Sequence, residues 1–145
     1  MFKHILFPTD GSELSEKAIR TTVALAKSMS APVTGLTVSE PFHVLATDPV
    51  MVTDTEDVYR ARCEKRAKQY LDAIKKAAES AGVVFAGLHL FSDQPYTAII
   101  STASAQGCDL ICMASHGRRG ISALVLGSET VKVLTHSKIP VLVWR

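Results

Sequence analysis

Short apolar runs alternate with amphipathic stretches along the chain. Five of these runs have the β-branched and apolar composition of buried strands, and they span residues 3–7, 33–38, 83–91, 110–114 and 139–144. Between them, apolar side chains recur every three or four positions, which predicts helices over about 12–29, 54–81, 95–106 and from 128 onward. The chain is therefore predicted to follow the order βαβαβαβαβ.

The helices have predictable ends and inner faces. Ser12 or Asp10 is expected to cap the first helix, and Gly82 is expected to close the second. The inner faces are predicted to consist of Leu14, Ala18, Leu25, Ala26 and Met29, then Ala67, Tyr70, Leu71, Ile74, Ala77, Ala78 and Ala81, then Ile99, Ile100 and Ala103, and finally Val131, Val133 and Leu134. The stretch 39–53 has no periodic signal and is predicted to be a loop over the strand ends.

Alternation of this kind predicts an α/β fold. Mostly apolar strands that alternate with helices favour a five-stranded parallel, doubly wound open sheet with helices on both faces, of Rossmann-like or flavodoxin-like type. We expect the strand order 3-2-1-4-5 and a single domain over 1–145. In such sheets, ligands bind at the carboxyl ends of the strands where the strand order reverses. The turn at Asp10 and the loop at Gly117 are predicted to lie there.

Composition narrows the function classes. The chain is 47% hydrophobic and 21% charged, which is typical of a globular protein, and its net charge of +2 is too small to indicate nucleic-acid binding. The basic residues on the outer face of the second helix are predicted to be a solvated face. The apolar start is interrupted at Pro8, which is too short for a signal segment or a membrane span. Cys63, Cys108 and Cys112 show no metal spacing and indicate reduced, packed thiols, so we expect a cytoplasmic protein without a membrane partner.

The segment from Asp109 to His136 is the strongest candidate for a ligand site. Its apolar strand opens into a loop with Gly117, Gly120 and Gly127, and the last of these precedes a predicted helix. A strand that leads through such a loop to a helix start offers backbone amides to a phosphate. The loop is not a Walker motif, because no Lys follows its last glycine, and the first strand lacks a dinucleotide fingerprint.

Four stretches together resemble the universal stress protein family over the whole chain. They are the opening Ile5–Ser12, the strand end at Val38, the run Ser115–Gly120 followed by Gly127-Ser128, and the closing Val131–Val143. The ATP-binding branch of that family carries Gly-x2-Gly-x9-Gly-[Ser/Thr]. Gly117, Gly127 and Ser128 match this motif, whereas Ala114 stands in place of its first glycine.

The resemblance implies a set of site residues. Pro8, Thr9 and Asp10 would line the nucleotide, Val38 would meet adenine through its backbone, and Gly117, Gly127, Ser128 and Thr130 would hold phosphates. The complete predicted site also includes Met113, Ala114, His116, Gly120 and Glu129. Asp10 could hold a ribose hydroxyl or a Mg²⁺ ion bound to the phosphates, because oxygen ligands suit that ion.

Simpler interpretations of the same residues stay open. Asp10 could cap a helix, His116 could be a hydrogen-bonding loop residue, and Arg118 and Arg119 could be solvated rather than phosphate clamps. The carboxylate of Glu129 would repel a triphosphate unless it points away or assists a metal.

The resemblance implies a stress-response signalling homodimer that binds ATP or a related adenine nucleotide. Its interface would be the last strand, 139–144, because an apolar edge strand left bare invites association. No nucleophile, base and orienting acid are evident together, so catalytic residues are not predicted. Two alternatives are a nucleotide-free dimeric interaction module and a slow ATPase or phosphotransferase.

Overall fold

The computed structural model describes residues 1–43, 55–117 and 125–145. Its elements alternate as the sequence predicts: β1 (Ile5–Pro8), α1 (Glu13–Ser28), β2 (Val33–Ser39), α2 (Glu56–Ala81), β3 (Phe85–Phe91), α3 (Pro95–Ala105), β4 (Leu110–Ala114), α4 (Ser128–His136) and β5 (Val141–Trp144). β1, β3 and β5 each begin two residues later than predicted. Most of the loop predicted over 39–53 falls outside the described residues.

The five strands form one parallel sheet in the order β3-β2-β1-β4-β5, as the sequence predicts. The central strand is β1, in which Ile5 pairs with Val33 of β2 on one side and with Leu110 of β4 on the other. The side chains of Ile5, Leu6 and Phe7 are completely buried. The strand order therefore reverses at β1, and a crevice opens at its carboxyl end.

Two apolar cores lie on opposite faces of the sheet. Alternate residues of a strand point to opposite faces, so Ile5 and Phe7 pack with α1 and α2, whereas Leu6 packs with α3 and α4. Among the described helices, none is long and apolar enough to cross a membrane.

The predicted inner faces of α1 and α4 were partly wrong. The buried residues of α1 are Ser15, Ala18, Ile19, Thr22, Val23 and Ala26, whereas Leu14 is half-exposed. In α4, Val133 is buried, but Val131 and Leu134 are 45% and 42% exposed. The reason is that polar residues take inner positions where hydrogen bonds satisfy them, as when the Thr22 hydroxyl accepts the indole N–H of Trp144 at 2.9 Å.

Helix ends follow the predicted chemistry. Ser12 is the N-cap of α1, and its hydroxyl accepts the amide of Ser15 at 3.3 Å. Asp10 instead accepts the amide of Ser12 through Oδ1 at 3.0 Å. Gly82 ends α2 in the left-handed conformation, with φ +71°.

The three cysteines are free and buried. Burial raises the pKa of the Cys112 thiol to about 12. Burial, with the nearby charge of Asp109, raises the pKa of the Cys108 thiol to about 11. Because the thiolate is the reactive form, these two residues are inert packing groups at neutral pH.

Asp109 joins the start of β4 to the start of the chain. Its carboxylate accepts the backbone amides of Lys3 and His4, each at 2.9 Å. Partial burial raises the pKa of Asp109, but the two amide donors outweigh it and hold the pKa below its usual range. The ionised carboxylate therefore contributes to the stability of the folded state.

We predict a pH-dependent loss of stability for Asp109→Asn. A lowered folded-state pKa gives stability that is complete above the unfolded-state value of about 3.9 and is lost as the pH falls through the folded value. At pH 7 the variant should lose less than about 1 kcal/mol, because solvent screens this group. Urea unfolding, followed by the fluorescence of the single tryptophan, should show the two proteins converging towards pH 3. A constant difference at all pH values would contradict this role.

Candidate functional site

A cavity of about 540 Å³ opens at the carboxyl ends of β1, β2 and β4. It brings together all of the predicted site residues that the structure describes, namely Pro8, Thr9, Asp10, Val38, Met113, Ala114, His116, Gly117, Gly127, Ser128, Glu129 and Thr130. Gly120, Arg118 and Arg119 lie outside the described residues. The sequence positions of these residues are far apart, and the reversal of strand order at β1 is what assembles them.

One wall of the cavity was missed by the sequence analysis. It is formed by α2, whose side chains Tyr59, Cys63, Arg66, Ala67 and Tyr70 line the cavity. Tyr59, Cys63 and Ala67 are buried at intervals of four residues, so the apolar face of α2 extends two turns earlier than predicted. That spacing was the available signal.

Tyr59 fixes the entrance of the cavity beside β2. Its hydroxyl donates to the backbone carbonyl of Glu40 at 2.8 Å, and its ring packs against Phe42. Burial, with a hydrogen bond to Cys63, raises the pKa of Tyr59 well above its usual value. The phenol therefore stays neutral and acts as a hydrogen-bond donor to the chain that follows β2.

The turn after β1 is held by a network of hydroxyl groups. Thr9 accepts the hydroxyl of Ser15 at 2.8 Å and the amide of Gly11 at 3.2 Å. Thr37 of β2 donates to the Thr9 carbonyl at 3.2 Å. Gly11 has φ +71°, and a Cβ there would overlap the Tyr70 ring. These contacts hold Asp10 at the floor of the cavity.

Two glycines allow the glycine loop to pack closely against neighbouring residues. A Cβ on Gly117 would overlap the Asp10 carboxylate, and a Cβ on Gly127 would lie 3.1 Å from the Cα of His116. The Gly127 amide donates to the Ser115 carbonyl at 2.7 Å. A side chain at Gly127 would therefore require the start of α4 and the end of β4 to separate by a few tenths of an ångström, and one at Gly117 would require the Asp10 carboxylate to move.

The N-terminus of α4 is the open helix start in this cavity. Its N-cap is Gly127, which makes no side-chain cap, and its first backbone hydrogen bond runs from the Val131 amide to the Gly127 carbonyl. The amides of Ser128, Glu129 and Thr130 have no intrahelical partner as a result. By contrast, Ser12 and Thr55 cap α1 and α2. Free amides and the helix dipole together favour an anion at this position.

The hydroxyl of Thr130 is already bonded within the protein. It is buried, and its hydroxyl donates to the Ala114 carbonyl at 3.1 Å. The hydroxyl proton is thus used to fix the end of β4, whereas the Thr130 amide has no intrahelical partner. His116 is within 3.2 Å of the Ser115 hydroxyl through Nδ1, as expected of a hydrogen-bonding loop residue.

Glu129 connects the starts of two helices. One carboxylate oxygen accepts the amide of Tyr96 at 3.0 Å, in the first turn of α3, and the other lies 3.1 Å from Nζ of Lys132. The N-cap of α3, Gln94, makes no side-chain cap of its own. Glu129 therefore caps α3 from α4, and its carboxylate is turned towards α3 while still lining the cavity.

Possible metal ligands occur in two separate places, one inside the cavity and one on its rim. Asp10 supplies a hard oxygen beside the glycine loop, and one carboxylate completed by phosphate oxygens and water is a common environment for Mg²⁺. A separate exposed group on the rim contains Glu40, His43 and Asp93, whose ligand atoms lie within 4.8 Å of one another. It is the one such group within the described ranges, and Asp10 is not part of it.

The sheet order and the open helix start define an α/β open-sheet protein with a glycine loop at its switch point. The universal stress protein family matches residues 1–145, and the chain belongs to that family. Universal stress protein YxiE of Bacillus subtilis is 30% identical over the full length of both chains. Universal stress protein MJ0577 of Methanocaldococcus jannaschii is 29% identical, across 99% of this chain and 94% of that relative.

Solved structures give the same architecture. The MJ0577 structure matches with a TM-score of 0.83 and 31% identity, covering 99% of this chain and 95% of that chain. Two more distant neighbours are a universal stress protein in complex with cAMP and one from Archaeoglobus fulgidus in complex with dAMP. Their TM-scores are 0.68 and 0.67 at 21% and 19% identity, with 99% of this chain covered in each case and 97% and 98% of those chains. At these identities the two complexes support the fold.

We predict that Glu129→Ala destabilises the protein by about 1 kcal/mol, the usual cost of losing a helix cap. Glu129→Gln should cost less, because its amide oxygen still accepts the Tyr96 amide. Thermal unfolding monitored by circular dichroism compares the two variants with the unchanged protein. Equal stability of the Ala and Gln variants would show that the contact with α3 does not stabilise the fold.

Proposed function

We propose that this chain binds an adenine nucleotide, ATP or a related one, in the cavity at the switch point. The observation that carries the proposal is the start of α4, whose first three amides lie beside Gly127 on the cavity wall and have no hydrogen-bond acceptor among the described residues. Phosphate oxygens would accept these amides. The exposed Ser128 hydroxyl, which makes no hydrogen bond to the described residues, would add a further donor.

The opposite end of the cavity suits a purine base. Leu36, Val38 and Ala67 supply apolar surface there, and Tyr59 and Cys63 continue it along α2. Small-molecule sites combine such apolar walls with a few polar groups that fix orientation. We propose that adenine lies between the end of β2 and α2, with the Val38 backbone as its polar contact. The complexes of two family members with cAMP and dAMP support this ligand class.

The ribose and a metal ion would occupy the middle of the cavity. Asp10 would accept a ribose hydroxyl or hold a Mg²⁺ ion that neutralises the phosphates when ATP is bound. Ala114 lies at the end of β4 with its carbonyl bonded to Thr130. Its methyl group stands where the ATP-binding branch has glycine, and it would limit how closely the ribose approaches the strand.

We further propose a cytoplasmic stress-signalling homodimer that pairs through β5. The side chains of β5 already pack on this chain, with Leu142 and Trp144 against one core and Val141 and Val143 against the other. Strand residues alternate in the direction of their backbone groups. Because Pro140 and Trp144 direct their carbonyls to β4, Val141 and Val143 direct theirs outward. An unpaired edge of this kind favours pairing with a second copy, and the free, buried cysteines suit a reducing compartment.

We predict that calorimetric titration of the purified protein with AMP, ADP and ATP, with and without Mg²⁺, will show binding at one site. Gly127→Ala should weaken that binding by up to about tenfold, since a lost phosphate hydrogen bond costs about 1.5–3 kcal/mol and the new Cβ, 3.1 Å from the His116 Cα, would shift the amides at the start of α4. Gly87→Ala, whose Cβ makes ordinary contacts with Phe85, is the matched control and should bind as the unchanged protein does.

The same purified protein also shows whether any adenine nucleotide binds at all. Nucleotide extracted from the denatured protein would identify a ligand that copurifies. The chain is a nucleotide-free interaction module if three results agree: no nucleotide copurifies, no added nucleotide binds, and no added nucleotide raises the melting temperature.

We predict that Val141→Lys converts the homodimer into a monomer. The aliphatic stem of lysine can cover the same core surface while its charge stays in water, so the fold should persist while edge pairing is lost. Val84→Lys changes an exposed valine at the other side of the sheet and should leave the dimer intact. Multi-angle light scattering after gel filtration gives the mass of each variant in solution. A dimeric Val141→Lys protein would rule out this interface.

A further inference from the structure

Glu129 holds a fixed negative charge at the phosphate end of the cavity. It follows Ser128 directly, in the turn of α4 whose amides are free. Its position is set by the hydrogen bond to the Tyr96 amide at 3.0 Å. The N-cap of α3 makes no side-chain hydrogen bond, so Glu129 supplies the acceptor that the Tyr96 amide needs. The carboxylate is therefore held in place rather than free to swing into solvent.

Lys132 balances this charge only in part. Its Nζ lies 3.1 Å from Glu129 Oε1 and 5.7 Å from the centre of the Tyr96 ring. It comes one turn later in α4, so it lies farther from the helix start than Glu129 does. Glu129 lines the cavity, whereas Lys132 is absent from its described lining. A ligand at the helix start would therefore meet the carboxylate before the ammonium group.

Repulsion by this carboxylate grows with the number of phosphates. The free amides of α4 attract any phosphate, but each further phosphate group adds negative charge near Glu129. The other described acidic side chains on the cavity wall are Asp10, Glu40 and Asp93, and Arg66 is the described cationic one. Of these described charges, the Glu129 carboxylate is the one in the first turn of α4, so each phosphate added to a ligand at the helix start meets further repulsion from it.

We propose that Glu129 is a specificity-determining residue that disfavours nucleoside triphosphates relative to monophosphates, including cyclic ones. This inference rests on the adenine-nucleotide binding proposed above. Glu129 would discriminate between ligands by the number of phosphates they carry. Ser128 and the free amides would supply the attraction common to all phosphorylated ligands. A divalent cation on the triphosphate would reduce the penalty by removing charge from the ligand.

The test compares the affinities of AMP and ATP for the unchanged protein and Glu129→Gln, by calorimetry at low ionic strength without Mg²⁺. Glutamine keeps the shape and the acceptor for Tyr96 but removes the charge. We expect Glu129→Gln to bind ATP roughly fivefold more tightly, which is the size of the interaction between two unit charges about 4 Å apart in a water-like dielectric, and to change the affinity for AMP by a smaller factor because AMP carries less charge. Added Mg²⁺ should reduce the difference in ATP affinity between the unchanged protein and Glu129→Gln.

Two further variants make the result specific. Lys132→Gln removes the partial neutralisation and should shift the preference the other way, towards AMP. Glu79→Gln breaks a comparable pair with Lys75, at 3.8 Å in the last turns of α2, and should leave both affinities unchanged. It controls for the change in net charge. Melting temperatures of all variants confirm that each is folded.

The outcomes separate this inference from the proposed function. If both nucleotides bind but Glu129→Gln changes their affinities by the same factor, or changes neither, the specificity role is wrong and nucleotide binding stands. If neither nucleotide binds the unchanged protein or any variant, the proposed function is wrong, and the role of Glu129 is wrong with it.

Discussion

Every element of this molecule depends on β1 being paired on both sides. β1 is short and buried, and it receives β2 along one edge and β4 along the other. The chain leaves β1 for α1 on one face and, much later, leaves β4 for α4 on the opposite face. Two helices that depart in opposite directions from adjacent strand ends leave a gap between them. The ligand cavity is that gap, so the topology creates it before any particular side chain shapes it.

Periodicity was sufficient to predict the fold, and glycine spacing was sufficient to locate the loop. What could not be read from the sequence depends on hydrogen bonds between distant residues. Ser15, Thr22 and Thr130 occupy inner positions because Thr9, Trp144 and Ala114 satisfy them. A count of apolar positions places such residues outside. The α2 wall of the cavity was missed for a related reason, since its residues become a wall only when the sheet sets α2 beside β2.

The distribution of helix caps explains where the molecule can accept an anion. Three of the four described helices have one amide of the first turn bonded to a side chain, namely that of Ser12, Thr55 or Glu129. Among the described helices, only α4 begins at a glycine, and that glycine lets the helix start approach His116 closely. Close packing and an open helix start therefore have the same cause. The residue that makes α4 fit against β4 is also the residue that leaves its amides for a ligand.

The hydrogen bond between Trp144 and Thr22 joins positions separated by 122 residues. Asp109 makes a similar long connection to Lys3 and His4. A first helix that needs the last strand for its inner face cannot reach its final packing while the ribosome is still adding the second half of the chain. Contacts of such long sequence separation slow folding. The part of the α1 inner face that contacts Trp144 would thus stay uncovered until β5 has been synthesised, a period in which a chaperone could bind it.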